Sequence, residues 1–328
     1  MREIKINFTD YGTSFVPEEN IFYRLLSQDY KVTIAPKPDY LFYSSGGYRH
    51  LQYDDAIRIF NTGENLAPDF NICDYAIAFH HIQLEDRYLR FPFFLTYNGC
   101  WEQLDALQTK IITPDLAQRK FCNFVYSNGQ QADPLREYFF HRLCQYKKVD
   151  SAGRYLNNMG GKTVKDKLDF IGQYKFTIAF ENSAVSGYTT EKIVDPMRVN
   201  SMPIYYGDPN VGVDFNSESF IQLRSKEEVD AIINEIIRLD RDNEAYLEKL
   251  SRPWLNAPLR KPYEERLQAF LRHIVEQPKE KAFRTTRYGW TGYYKRDLKR
   301  VTPLIRNFAF QKIWGAIDRC GNIKKRIK

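Results

Sequence analysis

The stretch YKFTIAFENSAVSGYTTEKIVDPMRVNSMPIYYGDP, residues 174–209, holds the pattern that decides the fold. The apolar run Phe176–Phe180 reads as a strand that empties into Glu181-Asn182-Ser183. A loop containing Gly187 follows, a helix is expected around Thr190–Val199, and a second strand at Met202–Tyr206. Strand, helix and strand in this order point to a parallel sheet with helices on its faces. Open sheets of this kind bind ligands at the carboxyl ends of their strands, beside helix N-termini. Free N–H groups and the helix dipole there favour a diphosphate, and Lys192 in the first turn adds a full positive charge. Spacing alone explains the same residues equally well as a plain helix start. Thr190 would then cap it, Glu191 would favour its positive end and Lys192 would be solvated.

The alternation continues on both sides. Upstream, strands are expected at Ile4–Phe8, Tyr30–Ile34, Tyr40–Tyr43, Arg58–Asn61 and Tyr75–Phe79, with a helix at Asn20–Gln28. Asn123–Tyr126 reads as a strand and Gln131–Tyr146 as the helix after it. Downstream come a strand at Phe220–Leu223 and helices at Lys226–Leu239 and Tyr263–Val275. Asn98–Asp115 is expected to be the crossover between two successive α/β units.

Composition bounds the function. Of 328 residues, 43% are hydrophobic and 27% charged, which excludes wholesale disorder. Five cysteines without a CxxC, at positions 73, 100, 122, 144 and 320, argue against a disulfide framework or a zinc site. No apolar run reaches about 18 residues, the length a membrane-spanning helix needs. Met1 leads directly into a strand pattern, so no secretion signal is expected. The net charge of +7 is uneven: residues 281–328 hold 14 Lys and Arg against Asp297 and Asp318, leaving −5 on residues 1–280. A nucleic-acid role would therefore rest on the tail alone.

Some motifs lead nowhere. Gly160-Gly161-Lys162-Thr163 ends like a phosphate-binding loop, but Leu156 stands where its first glycine should. His80-His81 lacks supporting metal ligands and reads as a strand end. Asp54-Asp55 reads as a helix start, and no metal site is expected.

Three motif blocks in order resemble the bacterial and animal α-1,3/α-1,4-fucosyltransferases, glycosyltransferase family 10. The first is Phe60-Asn61-Thr62-Gly63-Glu64-Asn65, followed by Asp69-Phe70-Asn71, Asp74-Tyr75-Ala76-Ile77 and Asp86-Arg87-Tyr88-Leu89-Arg90. The second is Val125-Tyr126-Ser127-Asn128 with Arg136. The third is Phe180-Glu181-Asn182-Ser183, Tyr188-Thr189-Thr190-Glu191-Lys192 and Pro203-Ile204-Tyr205-Tyr206-Gly207. Tyr206 stands where the family commonly has Trp, and Thr189 where it often has Val. The resemblance implies an α/β fold of the GT-B type, two facing Rossmann-like domains with parallel sheets. Residues 1–105 would form an acceptor-binding domain, 106–278 a GDP-fucose-binding domain and 279–328 a basic amphipathic tail. It implies inverting transfer of fucose from GDP-fucose to the GlcNAc of a LacNAc-type bacterial surface glycan, with no required metal. α-1,4 linkage, another acceptor or a non-catalytic glycan-binding homologue are the alternatives. Glu64 is then the catalytic base, and Glu191 sits near the donor sugar, where its charge supports an oxocarbenium-like transition state. Arg136 and Lys192 contact phosphate, and Glu181, Asn182 and Tyr188 complete the donor site.

The tail carries an apolar stripe at helical spacing through Ile305, Phe308, Ile313, Trp314, Ile317, Cys320, Ile323 and Ile327. Thr302 is expected to cap this helix, with Pro303 in its first turn. Basic residues around such a stripe suit an anionic membrane surface, which would place the enzyme in the cytoplasm at the inner face of the membrane. Packing on the enzyme body or on a second copy, as a homodimer, is the competing use of the stripe.

Overall fold

The computed structural model describes residues 1–96, 104, 107, 110–129, 131–161 and 163–305. Two wholly parallel sheets form the frame. The first contains β1 (Glu3–Thr9), β2 (Lys31–Ile34), β3 (Tyr40–Tyr43), β4 (Ile57–Asn61), β5 (Tyr75–Ala78) and β6 (Tyr88–Arg90), in the order β2-β1-β3-β4-β5-β6. The second contains β7 (Lys120–Phe124), β8 (Val149–Ser151), β9 (Tyr174–Phe180), β10 (Met202–Tyr206) and β11 (Ile221–Gln222), in the order β11-β10-β9-β7-β8. Every residue of β3, β4, β5, β9 and β10 is buried, as expected of parallel strands covered on both faces.

Helix α1 (Ile21–Asp29) covers the first sheet with Ile21, Phe22, Leu25 and Leu26, and Asn20 caps it by accepting from the Phe22 N–H. In the second unit lie α2 (Leu135–Cys144), α3 (Lys167–Ile171), α4 (Glu191–Arg198), α5 (Val229–Arg241) and α6 (Asn243–Ser251). Then α7 (Arg260–Glu276) returns to the first unit. Its Arg272 grips Asp29 with two bonds of 2.7 Å, and the Tyr40 hydroxyl donates to Val275 O at 3.1 Å. Between the units, Arg90 forms an ion pair with Asp214 at 2.7 Å, and the Tyr263 hydroxyl donates to the same carboxylate.

The expected strands and helices are present within a few residues, and β6, β8, α3 and α6 are among the elements that go beyond them. Strands β6 and β8 are three residues each, too short for a periodicity to register, and α6 has few apolar positions to mark it. Asp54-Asp55 is a turn before β4, not a helix start; the two carboxylates pair with Lys299 and Arg287. The Asn98–Asp115 crossover lies largely outside the described residues, as do Lys162, Cys100 and Cys320. Cys73, Cys122 and Cys144 are unpaired.

The start of the tail is part of the first unit. After α8 (Lys279–Ala282), the Arg284 and Thr285 N–H groups both donate to fully buried Asp74 at 2.8 Å. Helix α9 (Gly289–Ile305) begins well before Thr302, which corrects the expected cap. Pro303 is inside the helix and has no N–H for the Lys299 carbonyl; the Thr302 hydroxyl donates to that carbonyl instead, at 3.4 Å. The stripe beyond Ile305 lies outside the described residues. No helix among the described residues is long and apolar enough to cross a membrane.

Candidate active site

A cavity of about 660 Å³ lies between the two units. Its first wall is made by the loops leaving β1, β3 and β4, and carries Glu64. Its second wall is the loop after β9 with the N-terminus of α4, and carries Asn182, Tyr188, Glu191 and Lys192. A smaller cavity of about 250 Å³ opens beside it, lined by Tyr126, Ser127, Lys167 and Thr177. Glu191 and Lys192 line both cavities and so form the partition between them.

The partition rests on a buried network. The Glu181 carboxylate is fully buried and accepts from Thr190 N at 2.8 Å, Thr190 Oγ1 at 2.9 Å and Lys192 Nζ at 3.0 Å. Thr190 is the N-cap of α4, as its position suggested. Burial pushes the Glu181 carboxyl up, opposed by Lys192. Burial also works against the Lys192 ammonium, but Glu181 and Glu191 outweigh it and hold the amine above its ordinary range. For Glu191 the burial effect is outweighed by Lys192 and Lys167, so its carboxyl falls below the usual value. The partition therefore presents a fixed cation and a fixed anion side by side, 3.7 Å apart.

The loop before Thr190 is shaped by Gly187 and Asp208. Gly187 has φ of 86°, and a Cβ there would stand 2.2 Å from the Phe79 carbonyl oxygen, so the backbones of the two units touch at this glycine. Fully buried Asp208 accepts from Gly187 N at 2.8 Å and from Thr189 Oγ1 at 3.2 Å. This places the Tyr188 ring against Phe79, with centroids 5.1 Å apart. On the opposite wall Glu64 is exposed, and its N–H donates to Thr62 Oγ1 at 3.0 Å. A Cβ on Gly63 would fall 2.3 Å from the Phe93 ring, so this loop also lies flat on its support. Asn65 reaches across to Ser183 Oγ at 2.5 Å.

Five of the seven expected site residues meet at this cavity: Glu64, Asn182, Tyr188, Glu191 and Lys192. Glu181 and Arg136 do not reach it. Glu181 is engaged by Thr190 and Lys192, so it positions the partition. Arg136 is only 1% exposed; it donates to Phe180 O at 3.0 Å and to Asn182 Oδ1 at 2.8 Å, and stacks over the Tyr126 ring. In this structure it orients Asn182. Tyr126 and Asp208, for which no role was expected, prove structural: the Tyr126 hydroxyl accepts from Phe180 N at 2.6 Å and locks the end of β9. Tyr126 stands inside a quoted motif and Asp208 directly after one, but only tertiary hydrogen bonding reveals what they do.

Two facing parallel-sheet units with a cleft at their strand ends define a GT-B glycosyltransferase fold. A FucT N-terminal domain profile of α-(1,3)-fucosyltransferases matches residues 6–97, and the glycosyltransferase family 10 (fucosyltransferase) C-terminal profile matches residues 116–257. The chain belongs to glycosyltransferase family 10, the fucosyltransferases. It is 32% identical to the α-(1,3)-fucosyltransferase FucT of Helicobacter pylori, over 79% of this chain and 62% of that enzyme's length. A putative fucosyltransferase of Acanthamoeba polyphaga mimivirus is 27% identical over 61% of this chain and 34% of its own. The chain thus spans less than two thirds of these relatives. Crystal structures of an α1,3-fucosyltransferase superpose with TM-scores of 0.72 with GDP and 0.71 with GDP-fucose. They share 30% and 28% identity, over 84% of this chain and 91% and 92% of theirs.

Proposed function

We propose that the protein is an inverting fucosyltransferase that moves fucose from GDP-fucose to a hydroxyl of GlcNAc in a LacNAc-type glycan, forming an α-1,3 linkage. The observation that carries the reading is the placement of Glu64 and Lys192 on opposite walls of one cavity. Inversion needs a base on the acceptor side and a cation on the leaving-group side, and one carboxylate suffices as base. The partition supports the donor's orientation. A nucleotide sugar has two ends joined by a diphosphate; the two cavities take the ends and Lys192 meets the charge between them. Glu191 then lies beside the sugar, where its anion stabilises an oxocarbenium-like transition state. Incubation with GDP-fucose and a small acceptor panel, with linkage analysis of the product, tests this. Absence of fucosylated product from every GlcNAc-containing acceptor counts against it.

Metal independence belongs to the same reading, because Lys192 can neutralise the leaving diphosphate. Among the described residues no three His, Cys, Asp or Glu side chains gather as a metal site. Turnover in EDTA is expected to stay within about twofold of the untreated rate. Loss in EDTA with recovery on adding manganese would overturn this part.

We further propose that the tail holds the enzyme on anionic lipid at the inner face of the cytoplasmic membrane. Beyond Ile305 the sequence carries apolar residues at helical spacing, Phe308 to Ile327, among Lys312, Arg319, Lys324, Lys325 and Arg326. Flotation with phosphatidylglycerol vesicles is expected for the full chain and not for a chain ending at Ile305. A chain ending near Lys281 tests something else. It strips Arg284 and Thr285 from buried Asp74 and is expected to lose about 2 kcal/mol, several degrees in melting temperature. A full chain that stays in the soluble fraction and sediments as a dimer would assign the stripe to self-association.

A further inference from the structure

The first wall of the cavity has a feature that the transfer chemistry leaves unused. Directly after β1, Asp10 adopts φ of 61°, a left-handed conformation that costs a side-chain-bearing residue energy and persists only where its surroundings impose it. The surroundings here are explicit. Asp10 Oδ1 accepts from the Arg49 N–H at 3.0 Å, and Oδ2 accepts from the His50 N–H at 3.0 Å and lies 2.8 Å from His50 Nδ1. The Gly46 N–H donates to the Asp10 carbonyl at 2.8 Å, and a Cβ on Gly46 would come within 2.6 Å of that oxygen. His50 is itself fixed by stacking on Tyr43, centroids 4.1 Å apart.

This clamp sets the direction of the chain into Tyr11 and Phe15. Their rings stack at 4.1 Å with an interplanar angle of 19°, and Phe8 supports Phe15 from behind at 5.2 Å. Both rings are half-buried and line the same cavity as Glu64. The Tyr11 hydroxyl is shielded from water and has no hydrogen-bond partner among the described residues, so the ring is not held there by its polar end. Ser44, Ser45 and Asn20 add uncharged hydrogen-bonding groups, and the Asp10 carboxylate is turned away into its clamp.

We propose that the outer face of Tyr11, backed by the Phe15 ring stacked on it, is a plate for a neutral pyranose ring of the acceptor, and that the Asp10–His50 pair positions this plate relative to Glu64. The proposal rests on the fucosyltransfer reading and deepens it. The C–H groups on one face of a pyranose make an apolar, weakly positive surface that fits the negative face of an aromatic ring. The plate lies on the Glu64 wall, opposite Lys192 and Glu191, which is the side an acceptor must occupy when the base takes its proton.

The test uses the full chain with GDP-fucose and N-acetyllactosamine. Tyr11→Leu keeps apolar volume while removing the planar face, and Phe15→Leu removes the ring that backs it. Each is expected to raise the acceptor KM about tenfold, with GDP affinity by calorimetry within about twofold of wild type. His50→Ala should raise the acceptor KM in the same direction, and His50→Asn, which can donate from Nδ2 near the place of Nδ1, should restore it. Acceptor KM within about twofold of wild type in both leucine variants, or GDP affinity falling in parallel with it, overturns the plate. Wild-type protein that neither binds GDP nor consumes GDP-fucose removes the transfer reading itself, a result distinguishable from the first.

Discussion

Glu64→Gln is expected to reduce turnover by roughly 10²–10⁴-fold while GDP affinity stays near wild type, the usual share of general-base catalysis. The substitution is close to isosteric, so it isolates one property, the ability to accept a proton. The surrounding loop does not depend on the carboxylate. Its geometry comes from the Glu64 N–H bonded to Thr62 Oγ1, from Asn61 Nδ2 donating to Ile77 O at 2.9 Å, and from Gly63 lying on Phe93. The side chain is exposed at the cavity and unencumbered by the buried network that ties up Glu181. The proposed reading sets donor affinity on the other wall, so it should not move. Kinetics with GDP-fucose and N-acetyllactosamine, together with GDP calorimetry on the same preparation, check both halves. Turnover above about a third of wild type would remove Glu64 as the base and leave Glu191 as the carboxylate at the cavity partition.

The two walls differ in how much of them the sequence discloses. The second wall follows from a continuous segment: β9, its polar exit, Gly187 and the capped start of α4 are consecutive in the chain. Local rules reach it, because a strand ending in polar residues before a cap is a short-range pattern. The first wall is assembled from three loops, after β1, β3 and β4, that only the strand order brings together. Nothing near Asp10 announces that His50 will lie against it. The buried hydrogen bonds of Arg136 and Glu181 are hidden from the sequence for the same reason. A charged residue in a family motif suggests a ligand contact, while its burial, and hence its duty toward a neighbouring side chain, is a tertiary fact. In the tail, charge counting found the basic segment but not its attachment to Asp74, Asp54 and Asp55. Those contacts join residues more than two hundred positions apart.

The proposed reading gives Lys192 two duties, and a pair of variants can separate them. Lys192→Met is expected to weaken GDP binding by about 1.5–3 kcal/mol, roughly tenfold or more, the contribution of a charge-assisted hydrogen bond to a phosphate. It also leaves the fully buried Glu181 carboxylate without its ammonium partner. Removing one member of a buried pair costs about 3 kcal/mol, either as an uncompensated charge or as the work of protonating the acid. The single variant should therefore both melt at lower temperature and bind donor poorly, and by itself it cannot distinguish a ligand contact from a damaged fold. Adding Glu181→Gln removes the orphaned charge. The amide oxygen can still accept from Thr190 N and Thr190 Oγ1, the two bonds that hold the start of α4. The double variant is expected to regain most of the lost thermal stability and to remain as weak toward GDP as Lys192→Met alone. Thermal melts and GDP calorimetry on wild type, Lys192→Met and the double variant complete the comparison. If GDP affinity returns together with stability, Lys192 acts only through the network beneath the partition, and the charge that meets the leaving diphosphate comes from elsewhere. If stability returns and affinity does not, the ammonium itself faces the donor, and Glu181 is the group that keeps it there.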